Sequence, residues 1–301
     1  MKAVQFDMPM KANVTLRLAV ISDGHADSPF FDEPAFISVM KSIKAENRQL
    51  LINGDLFDAI LRTDIKRGAN HLMEKSDDQI NQKVKRIVEL LRPYQENILF
   101  IGRGNHESSA IKFNGVDLID LVCEMLNAGK EHKIVCGNYA NWIRFNWYDS
   151  NHKSAGHYDV YMHHGTGGAA PVTKGMIDFD RLASSVDADL ILLGHKHNAI
   201  VDYSHPLQKL TSNGELVLKN RIFLQTPSFQ VPRKIDKNDN FNEKFYTNQA
   251  LAGYASVDLT PKSTHNKHYK IIPDVKLVIK PEHTVGNLAI EALKKNKIKT
   301  K

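Results

Sequence analysis

Carboxylates and imidazoles recur beside glycines in this 301-residue chain, in five short strings. The first, Ser22-Asp23-Gly24-His25, sets an Asp and a His two residues apart. On an irregular turn both can face one cation. The second, Asn53-Gly54-Asp55-Leu56-Phe57-Asp58, has a glycine for a tight turn before Asp55. The two oxygens of that carboxylate can bridge two metals, and Asp58 reads as a helper or an Asx cap. The third, Arg103-Gly104-Asn105-His106-Glu107, offers the neutral amide oxygen of Asn105 to a cation and His106 as a proton donor to a leaving oxygen. Asn105 would equally suit a cap on a following helix. The fourth, His163-His164-Gly165-Thr166-Gly167-Gly168, supplies imidazole, the commonest side-chain ligand of transition metals, and glycine amides that can approach an anion. One member of the His pair is free to be structural. The fifth, Gly194-His195-Lys196-His197, has two imidazoles able to reach different members of a metal pair, whose centres lie about 3.5–4 Å apart.

Singly these strings say little: a D-x-H triplet arises by chance about once in a chain of this length. Together they form a hard-to-borderline ligand set without thiolates, suited to Mn²⁺, Fe or Zn²⁺ and poor for Cu(I) or iron–sulfur clusters.

What positions them is a repeated strand-then-turn pattern. Apolar runs at Leu16–Ile21, Leu50–Ile52, Ile98–Ile101, Val160–Met162 and Leu190–Leu193 read as buried strands, each running directly into one of the five strings. Ligand sites of open α/β sheets lie at such carboxyl ends. Amphipathic segments at Pro34–Ala45, Asp77–Leu91 and Val116–Leu126 read as helices between the first strands, with Pro93 ending the second. Beyond Lys133 strands are expected at Ile134–Val135, Asn141–Tyr148, Arg221–Leu224, Tyr254–Leu259 and Tyr269–Ile272, with one short helix at Asp178–Ser184. The region after Ala199 reads as a second sheet closing the same domain, and Lys234–Asn242 as a polar loop. The expected class is α/β, with one domain over 1–280 and a final helix over 281–301 that carries five lysines between Lys294 and Lys301. That end suits a polyanion, or simply a solvated helix terminus.

Composition narrows the rest. At 42% hydrophobic and 25% charged residues the chain is globular rather than fibrous or globally disordered. Cys123 and Cys136 lack CxxC spacing, which excludes a cysteine zinc site and fits a reducing compartment. The net charge of +6 mildly favours anionic partners. No apolar run is long enough for a transmembrane helix, and Met1–Lys11 offers no signal-peptide core. The expected location is the cytoplasm, with no membrane partner; the oligomeric state is not encoded in any pattern here.

The five strings resemble the calcineurin-like metallophosphoesterase superfamily, whose motifs D-x-H, G-D-x-x-D, G-N-H-(D/E), H-G and G-H-x-H all stand here in order. The resemblance implies a two-sheet β-sandwich flanked by helices, in four αββα layers. It implies one metal on Asp23, His25 and His197, a second on Asn105, His164 and His195, and Asp55 between them. His106 matches the catalytic histidine, His163 matches no ligand position, and Arg103 would contact phosphate. The string R-G-N-H-E also resembles the serine/threonine protein phosphatases. However, Ala59-Ile60 stands where those carry Arg-Gly, and G-H-K-H is absent from them. The chain is therefore more similar to the G-H-x-H branch of repair nucleases, cyclic-nucleotide phosphodiesterases and phage phosphoesterases, the His-Gly-x-Gly-Gly run resembling phage-encoded members.

By that resemblance the protein is an enzyme with two divalent ions, Mn²⁺ first and Fe or Zn²⁺ as alternatives. It would act on an anionic phosphoester, a diester before a monoester or phosphoprotein, with nucleic acid among the candidates. A scaffold that has lost catalysis is the competing class. It would lack ligands, and here every motif position is filled.

Overall fold

The computed structural model describes residues 1–10, 14–59, 78–167, 173, 175–211, 213–230, 252–263 and 269–279. The expected loop at Lys234–Asn242 and the expected lysine-ended helix over 281–301 lie outside these residues.

Fourteen strands are described: β1 Lys2–Pro9, β2 Leu16–Ile21, β3 Gln49–Asn53, β4 Ile98–Gly102, β5 Val135–Cys136, β6 Ala140–Tyr148, β7 Ser154–His163, β8 Leu190–Leu193, β9 Ile200–Asp202, β10 Leu207–Leu210, β11 Leu216–Lys219, β12 Ile222–Gln225, β13 Gly253–Ser263 and β14 Tyr269–Ile279. The helices are α1 Glu33–Ala45, α2 Gln79–Leu91, α3 Asn105–Asn114, α4 Leu118–Asn127 and α5 Met176–Ala183. A 3₁₀ turn over Arg92–Asn97 follows α2. Two six-stranded sheets run β14-β13-β2-β3-β4-β5 and β1-β6-β7-β8-β12-β9, and β10 and β11 form a separate hairpin.

The apolar strands are continuous because both faces are buried. Successive side chains point to opposite faces. Leu18 and Val20 of β2, Leu51 of β3 and Phe100 of β4 therefore enter a core shared with Phe145, Val160, Leu190, Leu192 and Leu224 of the other sheet. Ala19, Ile21, Leu50, Ile52 and Ile101 face outward, against Phe36, Met40, Ile87 and Ile119 of α1, α2 and α4. Tyr161, Ile191, Leu193 and Phe223 likewise pack on Phe179 of α5. The result is the four-layer αββα sandwich, the outer layer on the second sheet being formed, among the described residues, by α5.

Two local expectations need correction, and the amino-terminal segment, given no element above, gains one. Apart from the β10–β11 hairpin, the strands after Ala199 do not make a sheet of their own. β13 pairs antiparallel with β2 in the first sheet, while β12 lies parallel to β8 in the second. The amino-terminal segment is a strand, β1, paired in parallel with β6. Its half-buried Val4, Phe6 and Met8 follow the period-two alternation of an edge strand. Helix α3 begins within the third string: Gly104 is its N-cap and Asn105 its first helical residue, so Asn105 is not the cap.

Leu51 is fully buried between the sheets. We expect Leu51→Ala to destabilise the fold by about 2–5 kcal/mol through lost transfer energy and a residual cavity. Urea denaturation of wild type and variant measures it.

Candidate metal centre

The five strings converge because their strands point the same way. β2, β3 and β4 are mutually parallel, and so are β7 and β8, so their carboxyl ends deliver turns to one rim. The turns then bond to one another. Asp23 N donates to Gly54 O at 3.1 Å and His25 N to Asp55 O at 2.9 Å, while Gly194 N donates to His164 O at 2.9 Å. Close approach requires glycine at two points. A Cβ on Gly54 would lie 2.5 Å from Gly104 N, and one on Gly104 would lie 2.0 Å from Asp55 Oδ1. Non-glycine residues rarely adopt positive φ. Among the described residues that do so are Asp23, His25, Asp55, His195 and His197, with φ of 52°, 44°, 48°, 70° and 56°. Strain of this kind persists only where the surrounding structure over-determines it.

Three groups result whose donor atoms lie within 4.8 Å of one another: Asp23, His25 and His197; Asp55, His164 and His195; and His25, Asp55 and His106. His197 Nε2 is 3.3 Å from Asp23 Oδ1. Asp55 Oδ2 lies 3.0 Å from His164 Nε2 and 3.9 Å from the Nε2 atoms of His25 and His106. Both carboxylates are almost fully buried.

Second contacts orient the rings. His164 Nδ1 lies 2.8 Å from Asn53 O and must donate to it, which leaves Nε2, 3.0 Å from Asp55 Oδ2, as the atom that carries a proton without metal and would offer its lone pair to a cation. His195 Nε2 donates to Gly167 O at 2.9 Å, leaving Nδ1. His106 Nδ1 donates to Asp58 O at 2.5 Å, leaving Nε2 toward the site. The Asp58 carboxylate stands 3.5 Å from Nδ1 of both His25 and His106, a helper as its position suggested. His195 N donates to both oxygens of Asp23, which also accepts from Ser22 Oγ.

The electrostatics follow from burial opposed by paired charge. Burial alone would raise Asp23, but His197 and His164 more than reverse it, to about 2. Asp55 is likewise held far below the carboxylate range, chiefly by His164. Burial works against protonated His25 and His164, yet their carboxylate neighbours lift them to about 9 and about 10. Burial pulls His106 and His195 down.

A cation fits this donor set. Asn105 Oδ1 and His25 Nε2 are buried without a hydrogen-bond partner, which is rare unless another group satisfies them. Asn105 Oδ1 is the atom that the resemblance assigns to the second metal.

Two further residues of the strings lie outside these donor groups. His163 is structural: its Nδ1 accepts from Gly165 N at 2.9 Å and its ring meets Tyr139 edge-on. The Arg103 guanidinium, expected to contact phosphate, is engaged by groups of the protein itself. Its Nε donates to Asp117 Oδ1 at 3.0 Å, Nη1 to Gly137 O and to Asn138 Oδ1 at 2.8 Å, and Nη2 to Asp120 Oδ1 at 2.9 Å. The acidic Asp117 and Asp120 of the α4 start take the guanidinium.

Sequence reasoning gave Glu107 no role. It is fully buried and accepts from Asp55 N, Phe57 N and Gly104 N at 3.1, 2.9 and 2.8 Å, tying the second string to the third. Burial and Asp55 raise its carboxyl to about 7. Its place as the fifth letter of the third string was the only signal. Glu107→Gln sets an amide NH₂ against those amides. We expect a loss of roughly 1–3 kcal/mol in urea denaturation.

The calcineurin-like phosphoesterase family profile matches residues 16–199, from β2 through the fifth string. No curated protein matches the chain. Solved structures similar to it include GAP50, the anchor in the inner membrane complex of Plasmodium, at 11% identity over 90% of each chain with a TM-score of 0.40. Chaetomium thermophilum Vps29 is 10% identical over 88% of this chain and 98% of its own, with a TM-score of 0.36. A hypothetical protein from Thermus thermophilus is 13% identical over 87% and 99%, with a TM-score of 0.32. The profile takes in all five strings and more than half of the chain, which belongs to the calcineurin-like phosphoesterase family.

Proposed function

We propose that the protein is a dinuclear-metal phosphodiesterase. The observation that carries this is the pair of donor groups, Asp23, His25 and His197 beside Asp55, His164 and His195, with Asp55 also grouped with His25 and His106; to the second group we assign the buried, unpartnered Asn105 Oδ1 as a further donor. Two divalent ions there, Mn²⁺ by preference with Fe or Zn²⁺ as alternatives, would supply Lewis-acid activation of water and of the phosphoryl group near neutral pH.

The chain's own residues do the rest. Asp55 and Asp23 counter the cations' charge. His106 presents Nε2 to the site, with Nδ1 locked on Asp58 O. From there, when the ring is doubly protonated, the Nε2 proton passes to the departing ester oxygen or hydrogen-bonds a phosphoryl oxygen, while Nδ1 keeps its proton on Asp58 O. No covalent intermediate on the protein is needed. A diester is favoured because Arg103, which could otherwise hold a phosphate dianion, is committed to Asp117 and Asp120. The net charge of +6 suits an anionic substrate, nucleic acid included. Among the described residues no helix is long and apolar enough to cross a membrane. Cys123 and Cys136 are free thiols, which supports action in the reducing cytoplasm.

The test is hydrolysis of bis-p-nitrophenyl phosphate, p-nitrophenyl phosphate, cyclic nucleotides and DNA with Mn²⁺, Fe²⁺ or Zn²⁺. We expect turnover of a diester that EDTA abolishes and Mn²⁺ restores. Metal-independent turnover, or none on any ester, contradicts the proposal, and preference for the monoester refutes its diester half. His106→Ala should leave metal binding intact and slow poor leaving groups by about 10²–10⁴-fold. The loss should shrink for p-nitrophenolate, which needs little protonation; equal losses on both would assign His106 to phosphate binding.

Metal affinity should also depend on pH. His25 and His164, raised to about 9 and 10 without metal, bind a proton that a cation must displace. Their protonated forms stabilise the metal-free fold fully below the unfolded value near 6.5, a contribution lost as pH rises through 9–10. Mn²⁺ titration calorimetry should therefore show proton release and tighter binding as pH rises from 6 to about 9. An affinity flat across that range would contradict this.

A further inference from the structure

The two halves of the metal centre hang from different sheets. Asp23, His25, Asp55 and Asn105 follow strands of the first sheet, while His164, His195 and His197 follow strands of the second. Both donor groups take members from both, and in the second the assigned partners Asn105 and His164 stand on opposite sheets. The separation of Asn105 and His164 therefore depends on what joins the sheets at that rim.

Between β5 and β6 the chain passes from the first sheet to the second through Gly137, Asn138 and Tyr139. This crossing is tied to both halves. On the first-sheet side Gly137 N donates to Ile101 O at 2.8 Å and Arg103 N to Asn138 O at 3.2 Å. The Arg103 guanidinium adds Gly137 O and Asn138 Oδ1, and its far side grips both oxygens of Asp117 and one of Asp120. Asp117 caps α4 through Asp120 N at 3.1 Å, so the grip ends on a fixed helix. Asn138 and Asn141 close the turn with reciprocal bonds of 2.7 Å. On the second-sheet side His164 N donates to Tyr139 O at 3.1 Å, and the Tyr139 hydroxyl donates to Gly165 O. The Tyr139 ring lies edge-on to His163 and His164, with centroids at 5.2 and 5.6 Å. Arg103 is two residues before Asn105, and Tyr139 holds the backbone on either side of the His164 side chain.

We propose that Arg103 and Tyr139 are positioning residues, the two ends of an inter-sheet clasp that sets Asn105 and His164 at the separation one metal ion needs. The clasp rests on the dinuclear reading given above. It uses arginine because a planar fork reaches acceptors on both sides, which a lysine point charge does not. Neither residue touches substrate, so their loss is felt through the second ion and the rate, not through substrate affinity.

The test uses the full-length protein and the variants Tyr139→Phe, Arg103→Lys and Arg103→Met. Each is titrated with Mn²⁺ by calorimetry, probed by electron paramagnetic resonance for the spin-coupled Mn²⁺ pair, melted, and assayed on bis-p-nitrophenyl phosphate. Tyr139→Phe keeps the ring and the backbone bond to His164, so its folding is secure even if Arg103→Met melts early. In Tyr139→Phe we expect two ions in the wild type to become one retained and one weakened about tenfold or more, as for losses of groups that orient metal ligands. The coupled-pair signal should fall with it, and kcat should drop with KM little changed. Arg103→Lys should retain more of the second site than Arg103→Met. Wild-type binding of both ions by Tyr139→Phe and Arg103→Lys overturns the clasp. So does a rise in KM alone for the Arg103 variants, which would return Arg103 to the substrate. Failure of the wild type to bind a second ion sinks the dinuclear reading, and the clasp with it, and is distinct from both.

Discussion

Two carboxylates buried against one imidazole are the constraint on which the rest of this structure depends. Asp23 and Asp55 are shut away from water, and His164 lies within 3.9 Å of the first and 3.0 Å of the second. Like charges buried together are costly unless opposite charge is brought beside them. Here the offset comes from neighbouring imidazoles, with His25 and His164 held protonated without metal, and divalent cations can take over that duty. The burial that makes the carboxylates costly also makes a cation between them strongly held.

The turns carry a second cost. Asp23, His25, Asp55, His195 and His197 adopt a backbone that side chains disfavour. What holds them there is backbone bonding between neighbouring turns, the three amides gathered by Glu107, and the bond of Asp23 O to Phe229 N at 3.1 Å. The sandwich supplies two rigid sheets with parallel strands aimed at one rim, and the strained turns convert that aim into a side-chain arrangement.

Much of this was legible in the sequence because its signals are local. Continuous apolar runs such as Leu190–Leu193 marked strands buried on both faces, and the five strings marked their carboxyl ends. The helix starting at Asn105 was less legible: its polar face carries the site chemistry, so His106, Glu107 and Ser108 do not alternate with apolar residues. Sheet membership was least legible, since β13 reads as a strand whichever sheet it joins, and only pairing with β2 decides. The role of Arg103 was hidden for the same reason. Its partners, Asp117 and Asn138, lie 14 and 35 residues away, and only the fold brings them to the guanidinium. The roles of Tyr139 and of the Asn53 carbonyl were similarly invisible, because backbone acceptors leave no mark in residue type.

The central claim is that this rim holds two cations sharing Asp55. Anomalous diffraction from crystals equilibrated with Mn²⁺ tests it most directly. The account requires two peaks about 3.5–4 Å apart, one against Asp23, His25 and His197 and the other against Asn105, His164 and His195, with Asp55 reaching both. A single peak, no peak, or two peaks that do not share Asp55 would contradict it.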